Sequence, residues 1–103
     1  VLDDIMVTSI RRIHDMIVDA GREGEVDLME DGGIGADNSA RFVEAGMTVG
    51  EYSSAFLKGA DGEGPGGRYR ASKGKITAAF GKVRTALDQA AELYRTDDGR
   101  LKR

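Results

Sequence analysis

Apolar residues return along this chain at two different periods, and the alternation between them predicts its elements. From Ser9 onward Ile10, Ile13, Ile17 and Ala20 recur at helical spacing, with Arg11, Arg12, Asp15 and Asp19 on other faces and Gly21 at the natural stop. Ahead of them Ile5, Met6 and Val7 follow Asp3 and Asp4, a burst long enough for a buried strand and short for a helix, so residues 4–7 are predicted as a strand. A second β-permissive run, Glu25 to Met29, leads into Glu30-Asp31-Gly32-Gly33-Ile34-Gly35-Ala36-Asp37. It predicts a strand ending in a Gly-rich loop. Asp37 or Asn38 can cap the following helix, which carries Ala40, Phe42, Val43 and Ala45 and closes at Gly46.

The next segment is ambiguous. Met47, Thr48 and Val49 restart an extended pattern through Tyr52, yet Thr48 with Glu51 also spells a capping box for a helix over 49–58. The strand is favoured because strand, helix, strand, helix, strand is the order of a parallel sheet with crossover helices. Residues 58–67 (KGADGEGPGG) predict a loop. Ile76, Ala79, Phe80, Val83, Leu87, Ala90 and Tyr94 predict a long amphipathic helix over 72–95, after which the chain frays. The three strand–helix units average roughly 34 residues, near the roughly 31 that about 250 residues imply for each unit of an eight-fold barrel. Parallel strands are normally covered on both faces and continued by neighbours. The expected fold is therefore α/β: the C-terminal portion of a TIM (β/α)8 barrel, with residues 1–103 a partial barrel domain.

Composition narrows the class. The chain has 103 residues, 32% of them charged, and no Cys, so a disulfide framework, a thiolate nucleophile and a Cys-based zinc site are all excluded. Cytoplasmic localisation is the expectation, since the sequence carries neither a membrane-spanning apolar stretch nor a basic leader followed by an apolar block. The net charge of -3 divides unevenly: residues 1–64 carry 5 basic and 14 acidic side chains, residues 65–103 carry 10 and 4. An acidic balance with few aromatics argues against nucleic acid as a partner.

Three motifs in order then carry a resemblance: Met29-Glu30-Asp31-Gly32-Gly33-Ile34, Phe42-Val43-Glu44-Ala45-Gly46, and Val49-Gly50 through Ser53-Ser54-Ala55-Phe56. Their order and spacing resemble the C-terminal part of ribulose-phosphate 3-epimerases, from strand 6 to helix 8. In that family a strand ends in an Asp-Gly-Gly-Ile loop, a helix ends in Glu-Ala-Gly, and a last strand ends in a Gly/Ser phosphate loop. Asp4 to Val7 and the helix around Ile10 to Ile13 look like the sixth strand and sixth helix.

The resemblance implies a metal-dependent isomerase of carbohydrate metabolism, epimerising a pentose phosphate through an enediolate. That chemistry removes a proton beside the carbonyl from one face and returns one to the other, which needs two opposed acid/base groups and a positive stabiliser. Asp31 is implied as both acid/base carboxylate and ligand of a divalent metal ion (zinc, iron, manganese or cobalt). Read without the family, Asp31 shapes an Asp-Gly turn. Gly32 and Gly33, with Ser53 and Ser54, are implied as the phosphate site; taken alone they are a tight loop and solvent-facing serines. The implied partners are a small-molecule sugar phosphate and further copies in a homo-oligomer, without nucleic acid or membrane.

Some family features have no counterpart. Val7 is followed at once by Thr8, Ser9 and helix instead of a Gly-rich loop, and Glu51 and Tyr52 separate Gly50 from Ser53. The first five units, with their His ligands and the second carboxylate, are absent, and His14 matches no ligand position; it reads as a helix-surface or partly packed residue. One carboxylate cannot work both faces, so the chain alone is expected to be inactive. Alternatives are another phosphate-binding barrel lyase or synthase, or a non-catalytic helical secreted or partner-binding protein. Tyr69 to Lys73, Ser72 to Lys75 and Tyr94 to Asp98 mimic dehydrogenase, acyl-transfer and export motifs, and the first two lack the accompanying signatures. Lys73, Lys75, Lys82 and Arg84 are expected on a solvated outer face of the last helix.

Overall fold

The computed structural model of the chain describes residues 2–52 and 73–102. The expected loop over 58–67, Ser53, Ser54 and the residues before Lys73 lie outside them. The elements run α1 (Leu2–Asp19), β1 (Met29–Asp31), α2 (Ser39–Ala45), β2 (Val49–Glu51) and α3 (Lys73–Tyr94). This is a small α/β arrangement of three helices and two parallel strands; no barrel forms among the described residues.

The strand expected over 4–7 is helix instead. Its residues are the first turns of α1, because Val7, Ile10 and His14 continue one buried stripe at spacings of three and four. Asp3 and Asp4 fall in the first turn, where acidic groups suit the positive end of the helix dipole. Thr8 and Ser9, expected ahead of the helix, lie within it and donate their hydroxyls to the carbonyls of Asp4 and Ile5 at 2.9 and 3.1 Å. Past Ala20 the chain turns: the amides of Glu25 and Val26 both donate to the Arg22 carbonyl, so the run from Glu25 becomes strand only at Met29.

β1, α2 and β2 form a parallel strand–helix–strand unit, registered Met29 to Val49, Glu30 to Gly50 and Asp31 to Glu51. The choice at Thr48 falls to the strand. Its hydroxyl accepts the Leu28 amide at 2.8 Å across the sheet, and its own amide donates to the Leu28 carbonyl at 2.9 Å. Thr48 is thereby committed to β1 and caps no helix. α2 ends at Gly46, whose φ of +130° favours glycine and whose amide returns to Phe42 and Val43.

The core lies between the three helices. Val7 and Ile10 of α1, Phe42, Val43 and Ala45 of α2, and Ala90 of α3 bury one another with Ile34 and Met47, while Leu28, just before β1, and Tyr52, just after β2, pack against them. The tail folds back and does not fray: Arg95 bridges Leu101, and the Thr96 amide donates to the Arg100 carbonyl at 2.8 Å. Lys82 and Arg84 are exposed on α3 as expected; the side chains of Lys73 and Lys75 lie outside those described.

Candidate functional site

Asp31 is the last residue of β1, and Gly32 and Gly33 follow with φ of +96° and +72°. Both angles lie where a side chain is disfavoured, so the chain leaves the strand in a turn that glycines adopt freely. Asn38 fixes the far side of that turn. Its side-chain oxygen accepts the Gly35 amide at 2.8 Å, and its nitrogen donates to the Gly33 carbonyl at 2.8 Å and to Asp3 of α1 at 3.1 Å. Standing at the N-cap of α2, Asn38 spends its side chain on the loop behind it and none of it on the helix.

The two faces of the sheet differ. Leu28, Glu30, Gly50 and Tyr52 alternate toward the helices. The Tyr52 ring folds back over Gly50, where an added Cβ would lie 2.6 Å from it, and its hydroxyl sits 2.7 Å from Ser39 Oγ. The other face carries Met29, Asp31, Val49 and Glu51, all exposed, and no described element lies over it. Asp31 tips an extended segment, but its side chain is open to solvent and lines neither of two concavities in the fold. Beneath it Glu30 is half-buried, and desolvation, aided by the charge of Asp31, raises its carboxyl above the usual range.

The larger concavity, an open cleft of about 750 Å³, is at the opposite ends of the strands, lined in part by Leu28, Thr48, His14 and Glu23. His14 is buried, and its Nε2 lies 2.9 Å from Glu23 Oε2. It is thus the partly packed histidine that the sequence suggests. Beside this pair Arg95 donates to the carbonyls of Val43 at 3.0 Å and Met47 at 2.6 Å, binding the tail of α3 to the end of α2. Burial lowers its pKa, with the nearby Glu23 charge opposing the shift. These groups satisfy one another and serve the fold.

Of the expected site residues, Asp31, Gly32 and Gly33 sit together, and Ser53 and Ser54 lie just past Tyr52, outside the described residues. Among the described residues no group of three or more His, Cys, Asp or Glu side chains is placed to hold a metal. Asp31 has Glu51 as its register partner across the sheet, but two carboxylates without further ligands do not fit a catalytic divalent ion. Asn38 was missed as a member of the site; its only signal was an Asn just after a glycine loop, which also reads as a cap. No helix among the described residues is long and apolar enough to cross a membrane. Comparison with protein-family models, curated proteins and solved structures gives no match.

Proposed function

We propose that this chain belongs to a phosphate-binding (β/α)8 barrel acting as a ketose-phosphate 3-epimerase, with Asp31 as one of its two acid/base groups. The observation that carries the reading is the place of Asp31. It ends a strand of a parallel strand–helix–strand unit, on the sheet face that the described elements leave bare, immediately before the Gly32–Gly33 turn. In barrels of this class the C-terminal strand ends carry the chemistry and the loops after the last strands hold phosphate. Parallel sheets are ordinarily covered on both faces, so the bare face of Met29, Asp31, Val49 and Glu51 fits a sheet continued by further units. Under this reading α1 is the sixth helix throughout, and residues 4–7 are no part of the sixth strand.

The Asp31 carboxylate takes the proton from the carbon beside the ketose carbonyl, leaving an enediolate. A second acid, from outside the described residues, returns a proton to the opposite face, and the reverse reaction exchanges the two roles. The turn at Gly32 and Gly33, with Ser53 and Ser54 beyond Tyr52, meets the phosphate. Among the described residues Asp31 belongs to no group of three or more side chains that could hold a metal, so its carboxylate is assigned the role of a base alone. The test is titration of the isotope-labelled chain with ribulose 5-phosphate, followed by amide shifts. Saturable shifts at Gly32 and Gly33 that inorganic phosphate reproduces only in part are expected. Shifts confined to other residues, or none, would overturn the assignment.

A further inference from the structure

We infer that the outer face of α1 is a self-association surface that pairs two copies of this chain antiparallel about Ser9. This goes beyond the epimerase reading and does not depend on it. The buried stripe of α1 uses Val7, Ile10 and His14, so it is already spent on α2 and the core. A second apolar stripe runs beside it and is open: Leu2 is 65% exposed, Ile5 61%, Ile13 44% and Met16 68%. These four with Ser9 occupy positions 2, 5, 9, 13 and 16, a helical stripe without a charge.

The spacing is symmetric about Ser9. Steps of four and seven residues on one side repeat on the other. A two-fold axis through Ser9 therefore sets Leu2 against Met16 of the partner subunit and Ile5 against Ile13 of the partner subunit. Closed pairs need such self-complementarity, in which residue i meets j and j meets i. A neighbouring strand–helix unit of the same protein would also cover an apolar helix face, but would not require a palindrome. The small Ser9 at the crossing lets the axes approach to the ~8–10 Å of packed helices. The four apolar side chains expose roughly 400 Å² per copy, so the pair with its flanking residues reaches roughly the 1,000 Å² that a specific interface needs.

Light scattering of the whole chain over roughly 10–200 μM should give a concentration-dependent mass approaching twice 11.0 kDa. Ile13→Asp should weaken association at least about tenfold with the circular dichroism unchanged. Since the chain has no Cys, disulfide trapping reads the geometry directly. Ser9→Cys should cross-link to itself, whereas the exposed neighbour Asp15→Cys should not. A mixture of Leu2→Cys and Met16→Cys should form the mixed disulfide in preference to either self-pair. A mass of 11.0 kDa throughout that range, or cross-linking of Leu2→Cys to itself in preference to the mixed pair, would overturn the proposal.

Discussion

Ser39 and Tyr52 join hydroxyl to hydroxyl at 2.7 Å, and through that bond the exit of β2 is tied to the first turn of α2. Ser39 is fully buried and hands its own proton to the Gly35 carbonyl at 2.5 Å, so the Tyr52 hydroxyl is the donor to Ser39. Tyr52→Phe should reduce stability by about 1 kcal/mol, and Ser39→Ala by about 1–3 kcal/mol, because the latter strips two partners. In urea unfolding the double variant should be less destabilised than the sum of the two; strict additivity would show that the bond contributes nothing.

Gly46 has no room for a side chain. A Cβ there would sit 2.6 Å from the Cβ of His14, at a backbone angle already unfavourable for other residues. Gly46→Ala should destabilise by at least about 2 kcal/mol from strain and overpacking together. Gly21→Ala is the control, since nothing lies within 4 Å of its Cβ and only the backbone angle is strained. Its loss should be near ~1 kcal/mol. Equal midpoints for the two variants would contradict the packing at His14.

Arg95 reaches three carbonyls from one guanidinium, those of Val43, Met47 and Gly99. A lysine has one nitrogen and no planar fork, so Arg95→Lys should lose most of what Arg95→Ala loses, about 2–3 kcal/mol. Rescue of thermal stability by the lysine variant would mean that charge alone matters at this position.

Glu30 gives the chain a pH dependence of known sign. Its folded carboxyl titrates above the ordinary value, so the folded state holds the proton more tightly than the unfolded one. The stability from the protonated form is present below the ordinary carboxylate range and is lost as pH rises through the raised folded value. Glu30→Gln should therefore melt higher than the parent near about pH 7 and about equally near pH 3. A melting difference independent of pH would exclude this origin.

Asp31 can be changed without harm to the fold, because its side chain is exposed. Asp31→Asn should leave the unfolding midpoint within about 0.5 kcal/mol of the parent. Under the epimerase proposal neither form should epimerise a pentulose phosphate as an isolated 103-residue chain, since the described residues supply one of the two acid/base groups that the reaction needs. Turnover by the parent chain in a coupled assay would refute that group count.

How far the sequence spoke depended on whether a signal was local. The parallel unit around α2 was legible, since the acidic residue followed by glycines, the short helix and its Gly46 stop all act within a few residues. Asp4 to Val7 misled because a three-residue apolar burst, Ile5 to Val7, fits a strand or one helical turn. The deciding fact was that Val7 is in phase with Ile10 and His14, a relationship hidden once the helix is started at Ser9. Thr48 offered a cap and a strand with equal local merit, and its hydroxyl was claimed by Leu28, twenty residues away. Tyr52 took its role the same way, through Ser39, whereas Asn38 braces Gly33 and Gly35 locally and reaches across the fold to Asp3.

The grip of Asn38 on Gly33 and Gly35 means that the curve of the glycine turn is set before anything arrives to occupy it. Under the proposed phosphate role, a turn so braced would surrender little freedom on capture, and whatever attraction its amides exert would go into holding the guest instead of shaping the host. The same brace runs on to Asp3, so a pull on the turn is felt at the first turn of α1.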